Sequence, residues 1–225
     1  MLKKEHPIDH TELSQLFVYY NAREIEGTTS YDSGATMRDG LKGIKNQGSC
    51  RYDLWPYLTS EFSKKPSPDS YEDGLRRRIS KYRSLVGPYQ MVNVLANGKP
   101  VVIGVSIYGG FMRLDKKNPI VPMPDPYEMS IGGHAMCVVG YDLPKKMFLM
   151  RNSYGADWGN EGYCWMTFDY IAREAFDTWT FDILLSPTPT DDTSVPSPMK
   201  RSWMLISSPS FSSARILSDY AAVSI

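Results

Sequence analysis

The residue pattern predicts an α+β protein, and three observations carry the prediction. Apolar residues recur at helical spacing early in the 225-residue chain, short β-branched and aromatic runs dominate from about residue 100, and the composition turns to Pro, Ser, Thr and Asp after Leu185. Helices first and strands second is the order of an α+β fold rather than of alternating βαβ units.

Leu13, Leu16, Phe17 and Tyr20 define a first helix with one buried face, stopped at Gly27-Thr28-Thr29. Thr36 and Asp39, three apart and backed by Met37, Leu41 and Ile44, predict an N-capped second helix, short because of Gly40 and Gly43. From Trp55-Pro56-Tyr57 to Pro68 the Pro, Ser and Lys content marks an irregular crossing between lobes, and the charged stretch Tyr71 to Leu85 is read as helical. Strands are then expected at 100–107, 135–141, 147–150, 162–166 and 179–185, separated by Gly, Pro and Asp turns, as an antiparallel sheet or partial barrel. The division is therefore an arm over 1–12, a folded domain over 13–185, and a Pro/Ser/Thr-rich tail over 186–225 with little fixed structure.

Lysine plus arginine equals aspartate plus glutamate, so the formal net charge is zero and nothing in the charge balance argues for nucleic acid or an anionic membrane as partner. No apolar run is long enough to span a bilayer, and the basic N-terminus lacks a signal core, so the default compartment is intracellular. The three cysteines, Cys50, Cys137 and Cys164, show no CxxC spacing, and an odd number does not complete a disulfide framework. No metal and no cofactor is expected: His6 and His10 are four apart, but no acidic or cysteine partner accompanies them.

The chemistry is concentrated in two segments. His134 enters an apolar strand from Ile131-Gly132-Gly133, and Asn152 ends the next strand before the Gly-rich turn Ser153-Tyr154-Gly155. Neighbouring strands would set the imidazole and the amide side by side, which is two thirds of a Cys-His-Asn arrangement. No plausible nucleophile lies upstream of either.

Taken in order, Asp32-Ser33-Gly34-Ala35, Trp55-Pro56-Tyr57, Gly133-His134-Ala135, Val138-Val139-Gly140-Tyr141, Asn152-Ser153-Tyr154-Gly155 and Trp158-Gly159 resemble the papain-like cysteine proteases (peptidase C1) over roughly Leu13 to Leu185. The resemblance implies a two-lobe fold, with a helical left lobe, here incomplete, and an antiparallel β-rich right lobe. It implies His134 as general base and acid, Asn152 as the acceptor that holds the imidazole, and Gly34, Gly133 and Trp158 as substrate-binding residues. Tyr154 replaces the tryptophan that shields the His-Asn bond in most members. The partners implied are a peptide or protein substrate in the interlobe cleft, and a propeptide or inhibitor.

Asn46-Gln47-Gly48-Ser49-Cys50 imitates the family's glutamine-then-cysteine signature, yet Arg51-Tyr52-Asp53 follows where a tryptophan belongs. Cys50 precedes His134 by 84 residues and Asn152 by 102, against a family separation of about 130 to 150. Cys50 is therefore expected in the turn after the second helix, out of reach of His134, with Cys137 and Cys164 as small core residues. If the Leu13 to Tyr20 helix is the one that follows the nucleophile helix in family members, the nucleophile segment lies before it. The expected function is a cysteine-type peptidase of which this chain holds only His and Asn. The alternatives are an inactive pseudoenzyme that binds peptides, or a gene fragment without function. A missing central helix would remove about 10 kcal/mol of apolar burial, so the left lobe is expected to be poorly soluble or partly disordered alone.

Overall fold

The structure is a computed structural model describing residues 12–184. The expected arm residues 1–11, including His6 and His10, and the tail from residue 185 lie outside the described residues.

Two helices open the helical lobe, α1 (Gln15–Glu26) and α2 (Met37–Gln47). Ser14 Oγ accepts from Phe17 N at the start of α1, and Thr36 Oγ1 accepts from Asp39 N at the start of α2, while the Thr36 hydroxyl also donates to the Asp39 carboxylate at 2.8 Å. These bonds satisfy amides that have no partner within the helix, which is why Ser and Thr end up at these positions. In α2, a Cβ at Gly43 would stand 3.5 Å from Asn21 Cβ, an ordinary van der Waals contact, so α1 and α2 pack here without needing a bare glycine.

The Tyr71 to Leu85 stretch is not one helix. Its first part belongs to α3 (Pro68–Gly74), and Ile79–Ser84 forms β1, an edge strand paired with the last strand of the sheet. The apolar residues Ile79 and Tyr82 are three apart, because the pairing slips between Ile79 and Lys81, so the sequence carries no strand period here. Arg77, before β1, pairs with Asp73 of α3 at 2.8 Å.

The right lobe follows as α4 (Gly87–Ala96), β2 (Val101–Ile107), α5 (Gly109–Met112), β3 (Gly132–Asp142), β4 (Met147–Arg151), β5 (Tyr163–Thr167), α6 (Phe168–Glu174) and β6 (Ala175–Ile183). The six strands form one sheet in the order β1-β6-β2-β3-β4-β5, antiparallel throughout. The last strand begins at Ala175, earlier than its apolar run suggests.

Both faces of the sheet are covered. On one, Ile103, Val105, Met136, Phe148 and Met166 pack with Met91 of α4 and Tyr170 of α6. On the other, Val102, Cys137, Ile79 and Phe181 meet Val18 of α1 and Leu41 and Ile44 of α2. Successive residues of a strand point to opposite faces. A strand covered on both sides is therefore apolar at nearly every position, and this explains the unbroken run of β2.

Candidate active site

His134 is the third residue of β3 and lies opposite Val105 of β2. Asn152 follows the end of β4, the strand that pairs with β3, so sheet register alone brings the two together. His134 Nε2 lies 2.7 Å from Asn152 Oδ1. Ser153 N donates to the same Oδ1 at 2.8 Å. A backbone N–H can only donate, so the Asn152 atom it meets must be the oxygen. Nε2 of His134 therefore carries the proton, and Nδ1 keeps the lone pair. Nδ1 has no hydrogen-bond partner among the described residues.

Both side chains are buried, His134 at 3% exposure and Asn152 at 8%. Burial lowers the His134 pKa, and the bond to Asn152 opposes that shift. At neutral pH the uncharged imidazole is therefore favoured. Asn152 Nδ2 and Trp158 Nε1 are buried without a hydrogen-bond partner.

Two aromatic rings contact the imidazole, and a third backs them. Tyr154 lies 5.0 Å from the His134 ring centroid at 44°, and Phe111 lies 5.6 Å away, edge-on. Trp158 packs on Phe111 at 4.7 Å and on Tyr154 at 5.9 Å. Trp158 is thus largely buried, in contact with the rings that hold the histidine. Tyr154 lies against the His134 ring and is itself exposed on its outer side. Phe111, fully buried on α5, was not singled out from the sequence, and Gly109-Gly110-Phe111 offers no periodic signal to find it by.

Gly133 faces away from this box. A Cβ there would stand 3.1 Å from the Phe176 ring, and a Cβ at Gly104 would stand 2.7 Å from the same ring. Gly34 sits in the helical lobe before α2. Met37, at the start of α2, packs on the seam between the helices and the sheet. Burial pushes the Asp177 carboxyl above its usual range, while Trp179 Nε1 pulls it back.

None of the three cysteines shares the His134 environment. Cys50 is fully buried in the helical lobe beside Ser14, Ser70 and Asp73, and burial pushes its thiol up to about 11. Cys137 points to the opposite sheet face from His134, and burial pushes it up to about 12. Cys164 is buried in the core of the right lobe, with its thiol raised for the same reason. Among the described residues no group of three or more His, Cys, Asp or Glu is placed to hold a metal ion. Among them no helix is long and apolar enough to cross a membrane.

A helical lobe thus packs on an antiparallel sheet, with a buried His-Asn pair at the sheet end. The model of the papain family of cysteine proteases matches residues 27–175, and the chain belongs to that family. It is 35% identical over 196 residues to an uncharacterized peptidase C1-like protein of Acanthamoeba polyphaga mimivirus, covering 82% of this chain and 63% of that protein. The chain thus spans less than two thirds of the viral relative's length. Xylellain, a cysteine protease from Xylella fastidiosa, superposes with a TM-score of 0.68 at 36% identity, over 76% of this chain and 69% of its own. Bromelain from Ananas comosus, solved with the E64 inhibitor, shares the fold at a TM-score of 0.57 and 19% identity, over 76% of this chain and 78% of its own.

Proposed function

We propose that His134 and Asn152 are the base and the orienting amide of a cysteine-type peptidase whose thiol reaches His134 from outside residues 12–184. The observation that carries this reading is the fixed tautomer: Nε2–H is committed to Asn152 Oδ1, and Nδ1 is left as the free base. In this reading Nδ1 takes the thiol proton and the thiolate attacks the scissile carbonyl. The imidazolium, held by Asn152, then protonates the leaving amine, and water hydrolyses the acyl-thioester. Gly34 and Gly133 would line the cleft on the acyl side and Trp158 on the leaving-group side. The folded peptidase unit spans 13–185, with 1–12 as an arm and 186–225 as a tail.

Burial and protonation of Cys50, Cys137 and Cys164 also support a second reading, a pseudoenzyme that binds peptides reversibly in the same cleft. Treatment of the endogenous protein with a peptidyl epoxide, followed by intact mass and peptide mapping, separates the two. The peptidase predicts one adduct on a cysteine other than these three, abolished by His134→Ala. Reversible peptide binding with no adduct would overturn hydrolysis and leave the binding module.

A further inference from the structure

We propose that Tyr19 and Arg23 are positioning residues for the Gly34 turn, and that they leave Gly34 to engage a peptide main chain through its carbonyl alone. The inference rests on the reading of the interlobe region as a peptide cleft.

Arg23 is fully buried on α1, yet among the described residues no carboxylate lies within ion-pair distance of it. Its Nη1 donates to the carbonyls of Thr29 (3.3 Å) and Tyr31 (3.1 Å), and its Nη2 to that of Phe62. The guanidinium lies 4.1 Å from the centroid of the Tyr19 ring. Burying a charge without a counter-charge is costly, and a surface connection does not need one in order to close.

Tyr19, one turn earlier, carries the chain of bonds outward. Its hydroxyl donates to Asp32 Oδ1 and accepts from Gly34 N at 2.9 Å. Burial, and then the bond to Asp32, push the phenol up to about 12, so the hydroxyl stays protonated across the physiological range. One turn beyond Arg23, Glu26 Oε1 accepts from Thr36 N at 2.8 Å. Tyr19, Arg23 and Glu26 follow the i, i+4, i+7 spacing, a single stripe of α1 that grips the segment from Thr29 to Thr36 throughout.

The consequence falls on Gly34. A main-chain unit that pairs with a bound peptide can offer one donor and one acceptor, but here the donor is already given to Tyr19. The carbonyl accepts from Ser33 Oγ at 2.8 Å and keeps its second lone pair. Pairing at this position is therefore one-sided, through a peptide N–H donated to Gly34 O.

The test uses the 15N-labelled full chain, with N-acetyl-hexa-alanine amide as a probe that offers main-chain groups and little else. In the wild type the Gly34 amide is expected to exchange slowly and to keep its resonance when the peptide is added. Tyr19→Phe should raise Gly34 exchange by at least about tenfold, the effect of one hydrogen bond, and should let the freed Gly34 amide shift when the peptide is added, while the amides of β2 and β3 stay protected. Asp32→Asn, at an exposed position, keeps the hydroxyl and removes its charged partner, so a smaller rise is expected even if Tyr19→Phe folds poorly. Unchanged Gly34 exchange in both variants, or a Gly34 amide that shifts on peptide addition to the wild type, would overturn the proposal. A wild type that binds no peptide, with exchange still raised in the variants, would sink the cleft reading and leave the positioning role standing.

Discussion

His134 carries a pH dependence whose direction follows from its burial. Its pKa in the folded protein lies below the usual histidine value of about 6.5, so between the two values the unfolded chain binds more protons than the folded one. Stability is therefore complete above about pH 6.5 and falls as the pH drops toward the folded-state value. Thermal melts from pH 8 to pH 5 should show this fall, and His134→Gln, which has no proton to take up, should flatten it. An identical slope in the variant would mean that other groups carry the acid sensitivity. The pair itself was legible in the sequence, because a glycine-flanked histidine and an asparagine that ends the next apolar run become neighbours through strand register. Phe111 and the Tyr19–Arg23–Glu26 stripe were not. Their roles rest on ring contacts and on hydrogen bonds to backbone atoms, and a backbone partner leaves no mark on residue identity.

At the scale of elements, two glycines make a contrast that residue type alone does not predict. Gly48 closes α2 at φ +76°, and a Cβ there would fall 1.8 Å from the backbone oxygen of Gly74. Neither strained dihedral nor backbone clash can relax locally, so Gly48→Ala should cost about 3 to 5 kcal/mol. In the middle of β2, a Cβ at Gly104 would meet the end of the Phe176 ring, which is 59% exposed and can turn aside, and would stand 3.3 Å from Asp177 Cβ, a contact that a shift of a few tenths of an ångström relieves. Gly104→Ala should therefore stay within about 1 kcal/mol. Urea midpoints at constant slope would measure both, and equal losses would sink the distinction. The same scale marks the limits of sequence reading. The helices α1 and α2 were announced by their period and caps, and β2 to β5 by their apolar runs. In contrast, β1 sits behind an arginine run, and the starts of α6 and β6 share one apolar-aromatic stretch, so no boundary shows in composition. The early start of β6 is set by its pairing with β2, a tertiary contact.

Across the whole molecule the burial is unequal, and this sets the order in which the parts should open. One connected cluster of twenty buried residues fills the right lobe, seven form the seam between the sheet and α1 and α2, and four lie within the helical lobe itself. Apolar area removed from water is the main favourable term in folding, so the lobe with the small clusters has the least to lose by opening. It also contains the buried guanidinium of Arg23, which hydrogen bonds compensate only while the Thr29 to Tyr31 carbonyls stay in place. Openings of α1 and α2 should therefore lie at least about 2 kcal/mol below the global unfolding reported by β2 and β3. Native-state hydrogen exchange at low denaturant measures both. Coincident opening energies for the helices and the strands would show that the seam couples the lobes into one cooperative unit, and would remove the expectation of a weak left lobe. A gap between them, closed when a partner segment or peptide is added, would identify the seam and the cleft as the surfaces on which the helical lobe depends.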